Sequence, residues 1–243
     1  MDEQDLIIEA FEELSPRYEQ VVDSELNLFW GWRYAEFIRT LLQTTPVSTE
    51  DRVLDIATGT GMIPKAIAAE FEAKEPLHGL DITFGMLRRA RENFSRSHSQ
   101  DRLKLTCASA MEMPYKPEAF TLVFCGLATH HMDVPTLLTE MHRILDSDGR
   151  IAVADVGSSP MWQIPGVRLL LSAGAFVFFL LRENFQRAWA EVLAVSNIRT
   201  KEEWTALLGE AGFESIVIER LPSKYWWIPD PLIMHAKKSR REK

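Results

Sequence analysis

Apolar runs and amphipathic stretches alternate along most of this chain of 243 residues. The runs are rich in Val, Ile, Leu and Phe, which is typical of strands buried in a parallel sheet. The stretches between them repeat apolar positions every three or four residues, which predicts helices. Strands are predicted at 52–56, 77–81, 102–107, 120–126, 149–156, 213–220 and 230–237. Helices are predicted at 5–14, 29–43, 62–72, 83–95, 134–145 and 201–211.

This alternation predicts the fold class and the division of the chain. We expect an α/β protein with a doubly wound, seven-stranded and mostly parallel sheet, preceded by N-terminal helices. We divide the chain into a helical cap at 1–45 and one domain at 46–243. An apolar helical insertion at about 158–199 interrupts that domain between the fifth strand and the last predicted helix.

The most informative motif follows the first strand, which ends in Asp55 and enters a turn with Gly59 and Gly61. A loop that brings its backbone close to a ligand needs residues without side-chain bulk. A second strand-ending acid, Asp81, follows twenty residues after Gly61. A carboxylate at that distance can accept both ribose hydroxyls of an adenosyl group. The spacing therefore predicts an adenosyl cofactor.

Two details distinguish S-adenosylmethionine from nicotinamide dinucleotides. A dinucleotide turn has a third glycine and a helix N-terminus open to a pyrophosphate, whereas this chain has Pro64 at that position. The carboxylate of Asp55 would repel a pyrophosphate, but it suits the ammonium group and the nearby sulfonium of S-adenosylmethionine. We therefore expect S-adenosylmethionine as the cofactor.

With this motif and the segments 81–87, 109–115 and 120–127, the chain resembles the class I S-adenosylmethionine-dependent methyltransferases over roughly residues 45–155. The resemblance implies that Asp81 binds the ribose, Ile82 packs on the adenine and Ala110 holds the adenine edge. Ser109 replaces an acid of the family, and its hydroxyl can still accept from the adenine amino group. The cofactor-binding residues implied by the resemblance are Tyr18, Arg33, Asp55, Ala57, Gly59, Gly61, Asp81, Ile82, Met86, Ser109, Ala110, Met111 and Leu127.

The N-terminal segment resembles one group of that family, the ubiquinone and menaquinone biosynthesis C-methyltransferases. The resembling pattern is Phe11 before a basic-Tyr pair that ends at Tyr18, then a Trp-Arg pair, Trp32 and Arg33, that leads into a helix. In that group the N-terminal helices close over cofactor and substrate, which would place Tyr18 and Arg33 near the site. Packing is the alternative role for these aromatic side chains.

The loop after the fourth strand departs from the quinone group. That group has an Arg-Asn pair after Gly-Leu, whereas this chain has Ala128 and Thr129, followed by His130 and His131. Methyl transfer requires an aligned nucleophile and exclusion of water, and a phenol or enol must also lose a proton. An imidazole with a pKa of about 6.5 suits that task at neutral pH. We expect His130, which is nearer the strand end, or else His131, to be the catalytic base, with helix capping or solvent contact as the alternative.

The insertion contains thirteen consecutive residues without a charge, between Arg168 and Arg182. As a helix they would be about 20 Å long at 1.5 Å per residue, which is too short for a hydrocarbon core of roughly 30 Å. We therefore do not expect them to span a membrane. A helix that is apolar all round is buried, paired with another subunit, or laid against lipid or an apolar ligand. Two interpretations stay open: a cap helix packed in the core or at a dimer contact, and a substrate lid.

Charge and cysteine content limit the partners and the compartment. The formal net charge of -8 argues against a nucleic-acid substrate, because phosphate binding needs a positive field. The one basic run, 237–243, is interpreted as a solvated tail, with weak contact to anionic lipid as the alternative. Cys107 and Cys125 both lie in predicted core strands, so we expect no disulfide framework and a reducing, cytoplasmic compartment. The N-terminus lacks the basic residues of a secretory signal.

We therefore expect a cytoplasmic methyltransferase that acts on carbon or oxygen of an apolar, aromatic or quinone-like small molecule. No metal is expected, since no third ligand stands at a suitable spacing to His130 and His131. A peripheral membrane contact and a homodimer both stay open. One alternative is a natural-product O-methyltransferase. Another is a cofactor-binding protein of this fold that does not transfer methyl, as an accessory subunit or a rearrangement catalyst.

Overall fold

A computed structural model describes residues 3–96, 100–195 and 197–239. Its strands form one seven-stranded sheet in the order β3-β2-β1-β4-β5-β7-β6. The strands are β1 (Val53–Ile56), β2 (Leu77–Asp81), β3 (Leu103–Cys107), β4 (Phe120–Gly126), β5 (Leu145–Asp155), β6 (Phe213–Arg220) and β7 (Leu232–Lys238). The helices are α1 (Glu3–Leu14), α2 (Tyr18–Trp30), α3 (Tyr34–Thr44), α4 (Met62–Glu70), α5 (Phe84–Ser95), α6 (Val134–Ile144), α7 (Pro165–Arg182), α8 (Phe185–Val195) and α9 (Lys201–Glu210).

An apolar layer covers each face of the sheet, and alternate side chains of β4 point into the two layers. Val123 and Cys125 belong to a cluster with side chains of α6 and α9, such as Trp204. Leu122 and Phe124 belong to the opposite cluster, which contains side chains of α2, α3, α4 and α5. Because successive side chains of a strand point to opposite faces, a central strand covered by helices on both sides is apolar at every position.

Strand order and direction determine where a ligand can bind. The strands β1 to β5 are parallel, and the order reverses between β1 and β4, which pair through Ile56 and Cys125. β7 runs antiparallel to both β5 and β6, so the sheet is mostly parallel, as expected. In an open parallel sheet, ligands bind outside the carboxyl ends of the strands at such a reversal. The structure therefore confirms the predicted fold class.

The N-terminal helices differ from the sequence prediction. A single helix at 29–43 was expected, but α2 ends at Trp30 and α3 begins at Tyr34. Gly31 separates them in the left-handed conformation, with φ +79°, and its N–H donates to the carbonyl of Asn27 at 3.1 Å. This is a glycine C-cap, which closes a helix because glycine reaches positive φ without steric cost.

One expectation about burial is wrong, and one of the open interpretations of α7 lacks support. Cys107 is exposed at the end of the edge strand β3, whereas Cys125 is buried as expected. The helix α7 is not packed in the core, because Phe179 alone of its described side chains is buried.

The length of α7 also differs from the expectation. It has 18 residues and begins at Pro165, before the apolar run, because proline fits the first helical turn. At about 27 Å, it is a candidate membrane span by length and composition alone. The helix is therefore longer than the about 20 Å expected from thirteen residues.

Candidate active site

A pocket of about 420 Å³ lies at the carboxyl ends of the central strands. This volume is within the range of sites for small molecules. Twelve of the fifteen residues predicted from the sequence line it. They are Tyr18, Ala57, Gly59, Asp81, Ile82, Met86, Ser109, Ala110, Met111, Leu127, His130 and His131. Arg33, Asp55 and Gly61 do not line it.

Asp81 ends β2 beside the glycine turn and is held by two backbone groups. The N–H of Gly59 donates to Oδ2 at 2.9 Å, and the N–H of Thr83 donates to Oδ1 at 2.8 Å. Burial raises the pKa of this carboxyl. Each carboxylate oxygen can accept a further hydrogen bond, so Asp81 has acceptor capacity for two hydroxyl groups of a ligand in the pocket.

Asp55 is buried under the glycine turn, next to the pocket rather than on its wall. Its Oδ2 accepts from the hydroxyl of Thr58 at 2.7 Å, and its Oδ1 has no hydrogen-bond partner. Burial raises the pKa of Asp55 to about 8. A buried carboxylate with an unpartnered oxygen is stabilised by a nearby cation. The residues present therefore fit a ligand that has an ammonium or sulfonium group.

Two residues of the pocket wall have positive φ without being glycine. Ala57 follows β1 with φ 51°, and Leu127 follows β4 with φ 55°. The N–H of Leu127 donates to the carbonyl of Ala154 at 2.7 Å, which holds the turn in place. Such conformations cost about 1–3 kcal/mol each and cluster at functional sites. Strain at two neighbouring strand ends supports the interpretation of this pocket as a binding site.

One end of the pocket is apolar. Met86 and Ala110 are buried there, and Ile82 and Met111 lie beside them on the wall. The hydroxyl of Ser109 accepts from the N–H of Met111 at 3.1 Å. A hydroxyl oxygen has two lone pairs, so Ser109 can accept one more hydrogen bond. This end can hold a flat, apolar ring with one polar edge.

The opposite end of the pocket contains a histidine paired with a buried acid. His130 Nδ1 lies 2.5 Å from Oδ1 of Asp155, the last residue of β5. The other oxygen of Asp155 accepts from the hydroxyl of Thr129 and from the N–H of His130. Burial alone would lower the pKa of His130, but the Asp155 carboxylate raises it above its ordinary value. Burial opposes ionisation of Asp155, yet the charge and hydrogen bond of His130 hold its pKa below the usual range.

This geometry can be compared with known proteins. A family model described as a methyltransferase domain matches residues 54–153. The demethylmenaquinone methyltransferase of Lactiplantibacillus plantarum is 23% identical over 218 residues, which cover 86% of this chain and 88% of that protein. The chain therefore contains a methyltransferase domain, and it is similar to quinone-biosynthesis methyltransferases over most of its length. The acceptor groups of Asp81, the unpartnered oxygen of Asp55 and the apolar wall fit S-adenosylmethionine, the cofactor expected from the sequence.

Two further comparisons agree with the assignment. The ubiquinone/menaquinone biosynthesis C-methyltransferase of Xylella fastidiosa is 27% identical to this methyltransferase over 221 residues, which cover 88% of this chain and 84% of that protein. The phosphoethanolamine N-methyltransferase 2 of Haemonchus contortus, solved in complex with S-adenosyl-L-methionine, has the same fold with a TM-score of 0.68 at 17% identity. That match covers 95% of this methyltransferase and 60% of the Haemonchus chain.

Arg33 and Gly61 of this methyltransferase lie away from the pocket. Arg33 is exposed and pairs with Asp23 at 2.9 Å, so the expected contact with the cofactor has no support in this geometry. Gly61 has φ +75°, and a Cβ there would lie 2.9 Å from the Cβ of Ala90. Its lack of a side chain therefore lets α4 approach α5, which supports the turn from behind.

His131 differs from its neighbour in its surroundings. Its ring packs on Phe11, with centroids 5.2 Å apart, and its Nε2 lies 3.8 Å from Glu191. Burial and the charge of His130 hold the pKa of His131 well below its ordinary value. The imidazole of His131 is therefore neutral at neutral pH, and it forms part of the apolar wall.

Several residues of the site gave no signal in the sequence. The helix α1 contributes Ile7, Ile8 and Phe11 to the pocket wall, and of these only Phe11 belongs to a pattern noted in the sequence. Asp155 could have been noticed as a third acid at a strand end. Glu25 of α2 and Arg187 and Glu191 of α8 lie among apolar residues, and no sequence pattern marks them.

A second chamber of about 100 Å³ adjoins the same two histidines. Arg187 lies on its wall and pairs with Glu191 at 3.0 Å and with Glu25 at 3.3 Å. Its guanidinium also stacks over the ring of Phe179, 5.4 Å from the centroid. Burial raises the pKa of Glu25 to about 7. The chamber therefore has two acids and one cation on its wall, with apolar rings around them.

Proposed function

We propose that this methyltransferase adds a methyl group to a carbon or oxygen atom of an apolar, aromatic or quinone-like small molecule, with His130 as the general base. The pairing of His130 Nδ1 with Asp155 at 2.5 Å supports the proposal most strongly. An ionised carboxylate only accepts hydrogen bonds, so Nδ1 is the donor of this pair. In the neutral ring, Nε2 is then an acceptor that can take a proton from a bound acceptor molecule.

Bound S-adenosylmethionine supplies an electrophilic methyl group and leaves as S-adenosylhomocysteine. The residues of the chain have to align the acceptor, exclude water and remove its proton. His130 Nε2 takes the hydroxyl proton of a phenol or enol while the new bond from oxygen or carbon to the methyl group forms. Asp155 stabilises the imidazolium that results, because it is buried, ionised and in direct contact with the ring.

The other pocket residues are proposed to hold the cofactor. Asp81 accepts from the ribose hydroxyls, and Asp55 stabilises the methionine ammonium group through its unpartnered Oδ1. Ile82, with Ala57, Met86, Ala110, Met111 and Leu127, forms the apolar surroundings, and Ser109 accepts from the adenine amino group. Tyr18 lies over the turn, since its ring is 3.7 Å from where a Cβ of Gly59 would be. It would close the pocket from the cap at 1–45.

The apolar acceptor is supported by the walls beside His130. Phe11, Met132 and Leu193 line that part of the pocket, and Phe179 lines the adjoining chamber. Leu193 and Phe179 belong to the insertion at 158–199, so we propose that this insertion is the lid over the acceptor. The names of the bacterial relatives favour a quinone-like acceptor. We also propose the cytoplasm as the compartment.

An O-methyltransferase of phenolic natural products is the second candidate. The quinone group, as the resemblance implies, has an Arg-Asn pair where this chain has Ala128 and Thr129. Here the Thr129 hydroxyl donates to Asp155, so this position supports the base instead of contacting the acceptor. A site with a base but without that pair suits deprotonation of a simple phenol.

The test is to supply the enzyme with S-adenosylmethionine that carries a deuterated methyl group, together with either a naphthohydroquinone or 1-naphthol. We expect labelled naphthohydroquinone methylated on carbon, with one S-adenosylhomocysteine formed for each product. Labelled 1-naphthyl methyl ether without the first product would favour the second candidate. Cofactor binding without S-adenosylhomocysteine from either acceptor would contradict the proposal and favour a protein that does not transfer methyl.

A further inference from the structure

The outward face of α7 is apolar over its whole length. Leu169, Leu170, Val177, Leu180 and Leu181 recur at helical spacing, and all are exposed, Leu170 by 74% and Leu181 by 81%. No charged residue lies between Arg168 and Arg182. A helix on the surface of a soluble domain normally has polar residues on its outer face. The face of α7 therefore needs a partner that is not water.

The apolar surface continues from α7 onto α8. Phe185 is 53% exposed and Trp189 is 38% exposed, and the two rings stack with centroids 6.2 Å apart. Among the described residues, fourteen large apolar side chains are exposed, and nine of them lie between positions 161 and 189. Contiguous apolar surface of this kind marks an interaction site. We call this surface the α7 face, with Leu169, Leu170, Val177, Leu180, Leu181 and Phe185 as its members.

Two exposed tryptophans lie in the loop between β6 and β7. This loop contacts α7 through two aromatic side chains of α2. Trp226 is 89% exposed and Trp227 is 50% exposed. The loop is held by Trp30, whose indole N–H donates to the carbonyl of Pro229 at 2.9 Å. Trp30 packs on Phe29, and Phe29 packs on Phe178 of α7 with ring centroids 5.4 Å apart. Tryptophan is enriched where a protein meets the interface between lipid and water.

We propose that the α7 face docks on the surface of an anionic lipid bilayer. Charge decides between a bilayer and a second copy of the chain. α7 has Arg168 near one end and Arg182 at the other, with no acid between them. Pairing with another α7, parallel or antiparallel, would bring arginines together, whereas anionic headgroups attract them. Lys224, in the same loop as the two tryptophans, is a further exposed cation that anionic headgroups would attract.

The packing of α7 determines how it lies on the bilayer. α7 packs along α8, and Phe176 contacts Phe185 and Trp189. Phe179 is buried on the opposite side from the α7 face and contacts the Arg187 guanidinium. A helix held to the domain along one side cannot be surrounded by lipid. It therefore lies in the plane of the interface, although its length alone would suit a span.

The position of the α7 face gives it a role in the supply of the acceptor. Phe179 lines the chamber that adjoins His130 and His131. One side of α7 thus lines the chamber beside His130, and its other side faces the bilayer. An apolar acceptor dissolved in lipid would enter under α7 without crossing water. This last step rests on the proposed function, but docking itself does not require methyl transfer.

Docking is tested with the full chain by sedimentation with vesicles. One set contains phosphatidylcholine alone, and the other is an equal mixture of phosphatidylcholine and phosphatidylglycerol. We expect binding to the anionic set, weaker binding to the neutral set, and loss of binding in high salt. The double variant Leu170→Glu, Leu181→Glu should partition about tenfold more weakly or worse. Val217→Glu, on the edge strand β6 at a position that is 50% exposed, is the matched control and should bind like the parent.

Two results would overturn the proposal. The first is equal vesicle binding by the parent and the double variant. The second is a parent that ignores vesicles but forms a dimer in light scattering, with the double variant a monomer. Thermal unfolding of the variants shows whether each is folded. Since sedimentation does not depend on S-adenosylhomocysteine formation, failure of docking and failure of the proposed reaction are distinguishable.

Discussion

His130 and Asp155 lie 25 residues apart in the sequence, and their side chains meet with 2.5 Å between Nδ1 and Oδ1. The contact follows from the register of the sheet, where β4 and β5 are parallel neighbours and Gly126 pairs with Ala154. One strand ends just before the histidine loop, and the other ends in the acid. The sheet thus positions a base and the group that orients it at the same edge.

The first prediction concerns Asp155→Asn. The base must be neutral to accept a proton, so activity should fall as the pH drops through the pKa of His130. Asp155 raises that pKa above its ordinary value. Loss of the carboxylate should therefore move the acidic limb of the pH profile of kcat/KM to lower pH and reduce its plateau by about tenfold or more. An acidic limb that stays in place would show that Asp155 does not control the base.

The second prediction concerns cofactor affinity. Asp81→Asn removes the charge that strengthens hydrogen bonds to the ribose, so S-adenosylhomocysteine should bind about tenfold to a hundredfold more weakly in calorimetry. Asp101→Asn changes an exposed acid away from the pocket and is the matched control. Because Asp81 also accepts from Gly59 and Thr83, thermal unfolding should be measured for both variants. Unchanged affinity in a folded Asp81→Asn variant would place the ribose elsewhere.

The third prediction concerns the buried ion cluster. Arg187→Leu leaves Glu25 and Glu191 without their cation, and an unpaired buried charge costs about 3–5 kcal/mol of unfolding free energy. The exposed pair of Arg33 with Asp23 is the control, because Arg33→Leu should cost no more than about 1 kcal/mol. Urea unfolding measures both. Equal losses in the two variants would contradict the structural importance of Arg187.

The pH dependence of the Arg187→Leu loss can be predicted from Glu25. Burial already raises its folded pKa to about 7, above the unfolded value of about 4.3. Removal of the arginine raises the folded pKa further, so ionisation then favours the unfolded chain. The loss of stability should therefore be larger at about pH 8 than at about pH 5. A loss that is independent of pH would show that Glu25 stays ionised or stays protonated throughout this range.

The sequence predicted the sheet well because its strands are buried on both faces. Runs such as 120–126 are apolar at nearly every position, and β2, β4 and β6 have the predicted bounds. Ligand-facing positions at strand ends were also accessible to sequence reasoning. Asp81 and His130 each follow an apolar run, and the parallel topology brings such ends together at one edge.

The features that sequence reasoning missed depend on tertiary contacts. Nothing in the helical pattern of α8 indicates that Arg187 pairs with Glu25, which is 162 residues away. The α7 face illustrates a second limit. Hydropathy cannot tell an apolar helix buried in a core from one that is exposed, because both lack polar residues. Only the folded structure shows that the leucines of the α7 face are exposed on the surface.

The proposed chemistry is tested by turnover of His130→Ala, measured as S-adenosylhomocysteine formed with the methyl acceptor. We predict that turnover falls by about 10²–10⁴, while S-adenosylhomocysteine affinity in calorimetry stays within a few-fold of the parent. His131→Ala, which changes a neutral wall residue of the same loop, should lose much less turnover. Turnover of His130→Ala within a few-fold of the parent from about pH 6 to about pH 9 would contradict the assignment of His130 as the base.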